Sequence, residues 1–209
     1  MERADSTAEK VREAGGVVLS DPLDVFDAGR MAVCSDPEGA VFSLWQPNRH
    51  RGATVVNEHG AVNFNDLHSR DPERAQAFYG AIFGWTTLEM DGGFTAWTLP
   101  GYGDFLEEIS PGTRERNAAM GAPAGFEDVV ASLIVLGDDQ PDTPAHWGVT
   151  FGVDDADAAA ERTAALGGTV VAGPFDAPWV RMAVIADPQG ATFVASQFVP
   201  EQEDAGAAT

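Results

Sequence analysis

One stretch of this chain occurs twice, and that repetition constrains the fold more than any other feature. The first copy runs Gly15-Gly16-Val17-Val18, Pro22-Leu23-Asp24, Arg30-Met31-Ala32-Val33 and Asp36-Pro37-Glu38-Gly39-Ala40-Val41-Phe42. The second runs Gly167-Gly168-Thr169-Val170, Pro174-Phe175-Asp176, Arg181-Met182-Ala183-Val184 and Asp187-Pro188-Gln189-Gly190-Ala191-Thr192-Phe193. The offset is 152 at Gly15/Gly167 and 151 at Arg30/Arg181, so one residue is lost in a loop and register holds on both sides. Matched blocks of this kind mark a duplicated supersecondary unit. Each copy reads as a helix ending at Gly-Gly, a β-branched strand, a Pro/Asp loop, a strand opening at Arg30 or Arg181, an Asp-Pro-x-Gly turn and a closing strand.

The rest of the chain supplies a similar pattern. Residues 1–14 predict a helix capped by Asp5 or Ser6, with Ala8, Val11 and Ala14 at helical spacing. Residues 48–60 are a polar connector. Ala61 to Leu67 predicts a strand with Val62, Phe64 and Asp66 on one face. Asp71-Pro72-Glu73-Arg74 is a helix start, Asp as N-cap and Pro at the first helical position. The stripe Ala75, Phe78, Tyr79, Ile82 follows, and Gly84 ends it. Strands are predicted at 85–90, 94–99 and 104–109, with Asp91-Gly92-Gly93 as a turn. A helical turn is placed at 113–119, and further strands at 128–136 and 146–153. Asp154-Asp155 caps a helix over 156–166, which leads into the second copy of the repeat.

Charge and composition exclude several function classes. The net charge is −21, from 12 basic and 33 acidic residues. Such a field repels phosphate backbones and anionic membrane surfaces, so no nucleic-acid or membrane partner is expected. No apolar run approaches the ~20 residues of a membrane span, and residues 1–13 carry no secretory apolar core. The single cysteine, Cys34, is expected to be a buried thiol on a strand. A cytoplasmic location is the default for such a chain. No Ser/His/Asp signature, Gly-rich phosphate loop or Cys/His metal spacing is present, which argues against a hydrolase or nucleotide enzyme.

Three stretches carry a family resemblance. They are Asn63 to Leu67 with Asp71-Pro72-Glu73-Arg74 and Ala77-Phe78-Tyr79-Gly80-Ala81-Ile82-Phe83-Gly84-Trp85; Val153-Asp154-Asp155-Ala156-Asp157 leading to Leu166-Gly167-Gly168; and Asp187-Pro188-Gln189-Gly190-Ala191-Thr192-Phe193. In this order they resemble the vicinal oxygen chelate superfamily of glyoxalase I, bleomycin-resistance proteins and extradiol dioxygenases, and most of all its tandem, actinobacterial-type glyoxalase-like proteins. The resemblance implies an α+β fold of paired βαβββ modules forming an open, curved, cleft-bearing sheet. On that reading residues 1–50 are a partial module without its first strand, within an incomplete first domain. Residues 51–60 are a linker. Residues 61–200 are a complete domain (61–110 first module, 111–145 connector, 146–200 second module), and 201–209 are a disordered acidic tail.

The resemblance also locates the superfamily's metal ligands, His or Gln with two Glu on the first and last strands of the modules. The first-strand positions fall on Phe64 and Gly148, and the last-strand positions on Val194 and Ser43. None of these side chains replaces imidazole or carboxylate. One acid survives, Glu107 or Glu108, on the predicted strand 104–109; alternation lets only one face inward, and Glu107 keeps better phase with Phe105. The inherited metal site is therefore expected to be absent, with no cofactor. A divalent metal stays open only at displaced ligands Asp66, Glu107 and His146. The expected ligand pocket comprises Phe64, Asp66, Glu107, His146, Gly148, Thr150 and Val194, with Asp66 and Glu107 as the acid/base candidates. Phe64, Trp97, Trp147 and Trp179 divide between core and pocket wall. His68 is expected at a strand end in solvent. Arg30 and Arg181 are expected to pair with Asp24 and Asp176. The expected function is binding of a small organic molecule between modules. The alternative is a metal-dependent lyase, isomerase or dioxygenase, and a homodimer is left open.

Overall fold

The computed structural model describes residues 3–90 and 94–199. The Asp91-Gly92-Gly93 turn and the 201–209 tail lie outside the described residues. The elements are α1 (Ala4–Glu13), β1 (Val17–Val25), β2 (Gly29–Ser35), β3 (Val41–Pro47), β4 (Val62–Ser69), α2 (Pro72–Phe83), β5 (Thr86–Met90), β6 (Phe94–Thr98), α3 (Tyr102–Ile109), α4 (Thr113–Ala119), a 3-10 turn at Phe126–Asp128, β7 (Val129–Val135), β8 (His146–Gly152), α5 (Ala156–Ala165), β9 (Thr169–Ala177), β10 (Val180–Ala186) and β11 (Thr192–Phe198). The fold is α+β.

Both copies of the repeat form antiparallel three-stranded units, β1-β2-β3 and β9-β10-β11, each following a helix. The two glycines of each pair have separate tasks. Gly15 and Gly167 adopt φ of +89° and +83°, the left-handed turn that releases the helix. Gly16 permits close approach: a Cβ there would lie 2.6 Å from the Ser35 carbonyl and 2.8 Å from the Phe78 ring. The strand-opening arginines pair as expected and add a helix contact. Arg30 bridges Asp24 on β1 and Asp5 on α1, and Arg181 bridges Asp176 on β9 and Asp157 on α5. Each thereby ties a helix to its own hairpin. Asp5 acts through this ion pair; neither it nor Ser6 caps α1.

The chain divides into two compact units, 1–53 with 65–147, and 54–64 with 148 onward. The boundaries cut β4 and β8 and differ from a division near residue 50. The reason is a shared core. Ala8 and Val11 of α1 and Ala32, Cys34 and Leu44 of β2 and β3 bury with Leu67, Phe78, Tyr79, Trp97 and Leu133. Tyr79 is the hub, with the rings of Phe42, Phe78, Trp85, Trp97 and Trp147 centred 5.0–5.8 Å away. Residues 51–60, expected as a linker, contribute instead to the second unit: Gly60 N–H donates to the Gly152 carbonyl at 2.8 Å.

In the first unit the strand order is β5-β6-β7-β4, with β4 and β7 parallel. Helix α2 begins as expected, the Asp71 carboxylate accepting from Arg74 N–H at 3.0 Å. The predicted strand 104–109 is instead helix α3. Gly101, at φ +85°, turns the chain, and the Asp128 carboxylate accepts from the N–H groups of Gly101 and Gly103. Tyr102, Phe105, Leu106 and Ile109 stand at helical spacing. The strand this module needs is β7, in the stretch expected as connector. In the second unit the order is β8-β11-β10-β9, with β8 and β11 parallel. Its core is smaller: Ala160 of α5 packs with Ala183, Ile185 and Ala195.

Candidate functional site

Side chains alternate along a strand, and this sorts β4 into two faces. Leu67 and Ser69 are fully buried on the core side. Asp66 and His68 are half-buried on the other. On neighbouring β7, Ala131 and Leu133 join the core. Ser132, the register partner of Asp66, therefore stands on the same side as Asp66. Ser132 Oγ donates a hydrogen bond to Asp66 Oδ1. At the start of β8, Trp147 packs against the core and His146 alternates away from it.

His68 and His146 stack, with ring centroids 4.3 Å apart and planes 8° from parallel. His68 is thus half-buried against a second imidazole rather than free in solvent. Its pKa is lowered, first by burial and then by the adjacent His146, with Asp66 opposing. His146 Nδ1 lies 2.9 Å from the Pro144 carbonyl. A carbonyl only accepts, so Nδ1 carries a proton in this contact. The first unit therefore presents a carboxylate held by a serine beside two stacked imidazoles. These groups can receive and orient hydroxyl protons, and the paired rings can stack on a planar group.

Glu107 does not join this group. It lies on α3, and its carboxylate accepts from Gly112 N–H at 2.6 Å and from Arg114 N–H at 3.2 Å, the first turn of α4. These bonds, the Gly112 one foremost, hold it below the usual carboxylate pKa. It is a helix cap, not a facing acid. Glu108 lies on the same helix. Phe64, Gly148, Thr150 and Val194 lie in the second unit, where Thr150 and Val194 are register partners. Trp97 and Trp147 belong to the first core, and Trp179, at φ +61°, makes the β9–β10 turn. Ser132 and His68 are the two residues that sequence reasoning missed as members of the site. The signal for Ser132 was available only through register: Asp66 lies five residues before the N-cap Asp71, as Thr150 does before the N-cap Asp155. Asp66 pairs with Ser132 as Thr150 pairs with Val194.

That equivalence also tests the superfamily's metal. The positions carry Phe64, Gly148, Ser132 and Val194, and in the first repeat Ser43. A phenyl ring, a hydrogen, hydroxyls and an isopropyl group do not fit a divalent cation's donor set. Among the described residues no three of His, Cys, Asp and Glu converge as a metal-holding group. Two surface depressions lie elsewhere. One of about 400 Å³ is bounded by Asp24, Phe26, Arg30 and Asn48. One of about 280 Å³ is bounded by Asn57, His59, Asn63, Asp154 and Ser196, where Asp154 N–H donates to His59 Nδ1 at 3.1 Å. The first is the Arg30 ion-pair anchor of the hairpin. Among the described residues no helix is long and apolar enough to cross a membrane.

Comparison with known proteins agrees with the fold. The profile of a glyoxalase-like domain matches residues 61–195. CFP32 of Mycobacterium tuberculosis, a protein with a glyoxylase name, is 40% identical over 199 residues, covering 95% of this chain and 67% of its own. The anthracycline biosynthesis protein DauV of Streptomyces sp. strain C5 is 35% identical over 191 residues, covering 91% of this chain and 60% of its own. Among solved structures, a Mn(II)-bound glyoxalase from Novosphingobium aromaticivorans superposes with a TM-score of 0.53 at 15% identity, over 93% of this chain and 58% of that one. The 2,3-dioxygenase LapB from Pseudomonas sp. KL28 gives 0.54 at 10%, over 98% and 71%. At these identities the structures speak to fold alone. The duplicated hairpins, the βαβββ order and these matches together make the chain a member of the glyoxalase-like family of the vicinal oxygen chelate superfamily.

Proposed function

We propose that this chain binds a small organic molecule, without the superfamily's metal, on the face of β4 and β7 that carries Asp66, His68, Ser132 and His146. The observation that carries this reading is the Asp66–Ser132 hydrogen bond beside the stacked imidazoles, on the side of the strands away from the core. The ligand class that suits these groups is a planar, hydroxylated one: stacking surface from the rings, proton acceptance by the Asp66 carboxylate. Relatives named for anthracycline biosynthesis support an aromatic ligand. Should the bound molecule react, Asp66 is the group placed to remove a proton next to a carbonyl. Cytoplasmic residence, with Cys34 reduced and buried, accompanies this reading.

A second reading is a metal-dependent lyase, isomerase or dioxygenase with displaced ligands. Its displaced ligands would have to come from Asp66, His68 and His146, which share one face without converging as a metal-holding group, and not from Glu107. One experiment separates the two. The protein is purified without added metal, analysed for bound elements, and screened by thermal shift against α-ketoaldehydes, catechols and hydroxylated quinones. The proposal expects no stoichiometric metal, and a ligand shift that weakens at least tenfold in affinity in Asp66→Asn and Ser132→Ala. Stoichiometric metal that disappears in His68→Ala and His146→Ala would overturn it in favour of the second reading. A homodimer is also proposed, through the sheet face on which Val17, Leu19, Leu23 and Val41 are exposed. A monomer mass by light scattering at micromolar concentration refutes it.

A further inference from the structure

The turn between β2 and β3, residues 36–39, is remote in sequence from every residue of the proposed site. Two chains of hydrogen bonds nevertheless run from it to the segment that carries His146. In the first, the Asp36 carboxylate, 3% exposed, accepts from Tyr79 Oη at 3.1 Å. Tyr79 Oη accepts in turn from Trp147 Nε1 at 2.9 Å, next in sequence to His146. In the second, the Glu38 carboxylate accepts from Ser69 Oγ and from Arg70 N–H. The Arg70 guanidinium donates to the carbonyls of Gly137, Gln140 and Thr143. The loop so held leads into Pro144, whose carbonyl receives His146 Nδ1–H. Segment 137–147 is tied near both ends to one turn.

The repeat supplies an internal control. The Asp36 carboxylate also accepts from the N–H groups of Glu38 and Ala40, both at 2.9 Å, and Asp187 makes the equivalent bonds within its own turn, from the N–H groups of Gln189 and Ala191 at 2.8 and 2.9 Å. Gln189 stands where Glu38 stands. Among the described residues neither side chain of that turn bonds to another element. The reach of the first turn is thus additional to what the hairpin needs. His146 is the first residue of β8, a place where strands fray without outside support.

We propose that the Asp36–Gly39 turn positions the His68–His146 pair, with Asp36, Glu38 and Tyr79 as positioning residues that touch no ligand. The N-terminal module, which has Ser43 at its own ligand position, thereby serves the site of the next module. This rests on the reading of the histidine pair as part of the ligand face, but its test needs no ligand. Imidazole NMR of the full chain resolves four histidines. Tyr79→Phe removes the link between Asp36 and Trp147. Glu38→Gln reproduces the residue of the second repeat. Both are expected to weaken the Nδ1–H signal of His146 and to raise the His68 titration midpoint, as the ring gains water and loses its neighbour. His50 and His59 serve as controls and stay fixed. If Tyr79→Phe does not fold, Glu38→Gln decides. Unchanged His68 and His146 signals in a folded variant, whatever its melting temperature, overturn the proposal and leave the turn a stabilising contact. So does a change in all four histidines together, which reports general loosening. Intact coupling with no ligand found in the screen leaves the brace standing and removes the functional reading.

Discussion

Gly15 and Gly16 are adjacent, yet substitution separates them. Alanine at Gly15 meets no atom within 4 Å and suffers only its left-handed backbone, about 1–2 kcal/mol. Alanine at Gly16 drives a Cβ into a carbonyl and the Phe78 ring, and the overpacking is expected to add to about 1–3 kcal/mol. Chemical denaturation of the two variants checks the order. His68 is expected to give stability a pH dependence. Its folded pKa lies below the ordinary value of about 6.5, so between the two the unfolded chain binds more protons. The contribution is complete above pH 6.5, is lost as pH falls from there through the folded pKa, and levels below it. Stability measured from pH 8 to 5 in wild type and His68→Phe should show this loss in wild type alone. The identity of such residues was readable in advance, but their company was not. Asp66 stood out as a carboxylate on the right strand. Its partner Ser132 lies 66 residues away and became visible only through parallel register.

At the scale of elements, α3 shows why a short amphipathic run is ambiguous. Phe94-to-Leu99 and Asp104-to-Ile109 both carry apolar residues between glycine-rich breaks. Over five or six residues a strand and a helix of one and a half turns are not separable by periodicity. The Asp128 carboxylate, brought in from 25 residues downstream, satisfies the first N–H groups and settles the helix. Glu107 then becomes a cap for α4. Glu107→Ala is expected to leave ligand affinity unchanged while amide exchange at Gly112 and Arg114 speeds up. A loss of ligand binding in this variant would return Glu107 to the site. Helix α5 gives a cleaner case. Its N-cap Asp155, accepting from Ala158 N–H at 2.9 Å, and its alanine-rich face were legible because both are local. Ala160→Gly is expected to cost about 1 kcal/mol in urea titration, since Gly is a poor helix residue and Ala160 faces the small core.

Over the whole molecule, two features should govern stability. The first core assembles aromatic rings around Tyr79, whereas the second rests on alanines with Ile185. Hydrogen exchange should therefore open β9–β11 before β6 and β7, because buried apolar area sets local unfolding free energy. Uniform protection across both would contradict the ranking. The net charge of −21 also opposes compaction. Raising salt from about 0.01 to 0.15 M shortens the screening length from about 30 to about 8 Å, and the melting temperature is expected to rise. By itself the sequence determined the repeat, the caps of α2 and α5 and the arginine anchors. All of these depend on residues near one another in the chain or on a pattern repeated along it. Tertiary structure alone decided that residues 1–53 share a core with 65–147, that 102–109 is helical, and that His68 meets His146. Those outcomes depend on which surfaces bury against which. The repeat now has two readings in one molecule: in the second copy its Asp-Pro-x-Gly turn serves its own hairpin, and in the first a buried Asp36 and a glutamate at 38 carry that turn into the neighbouring module.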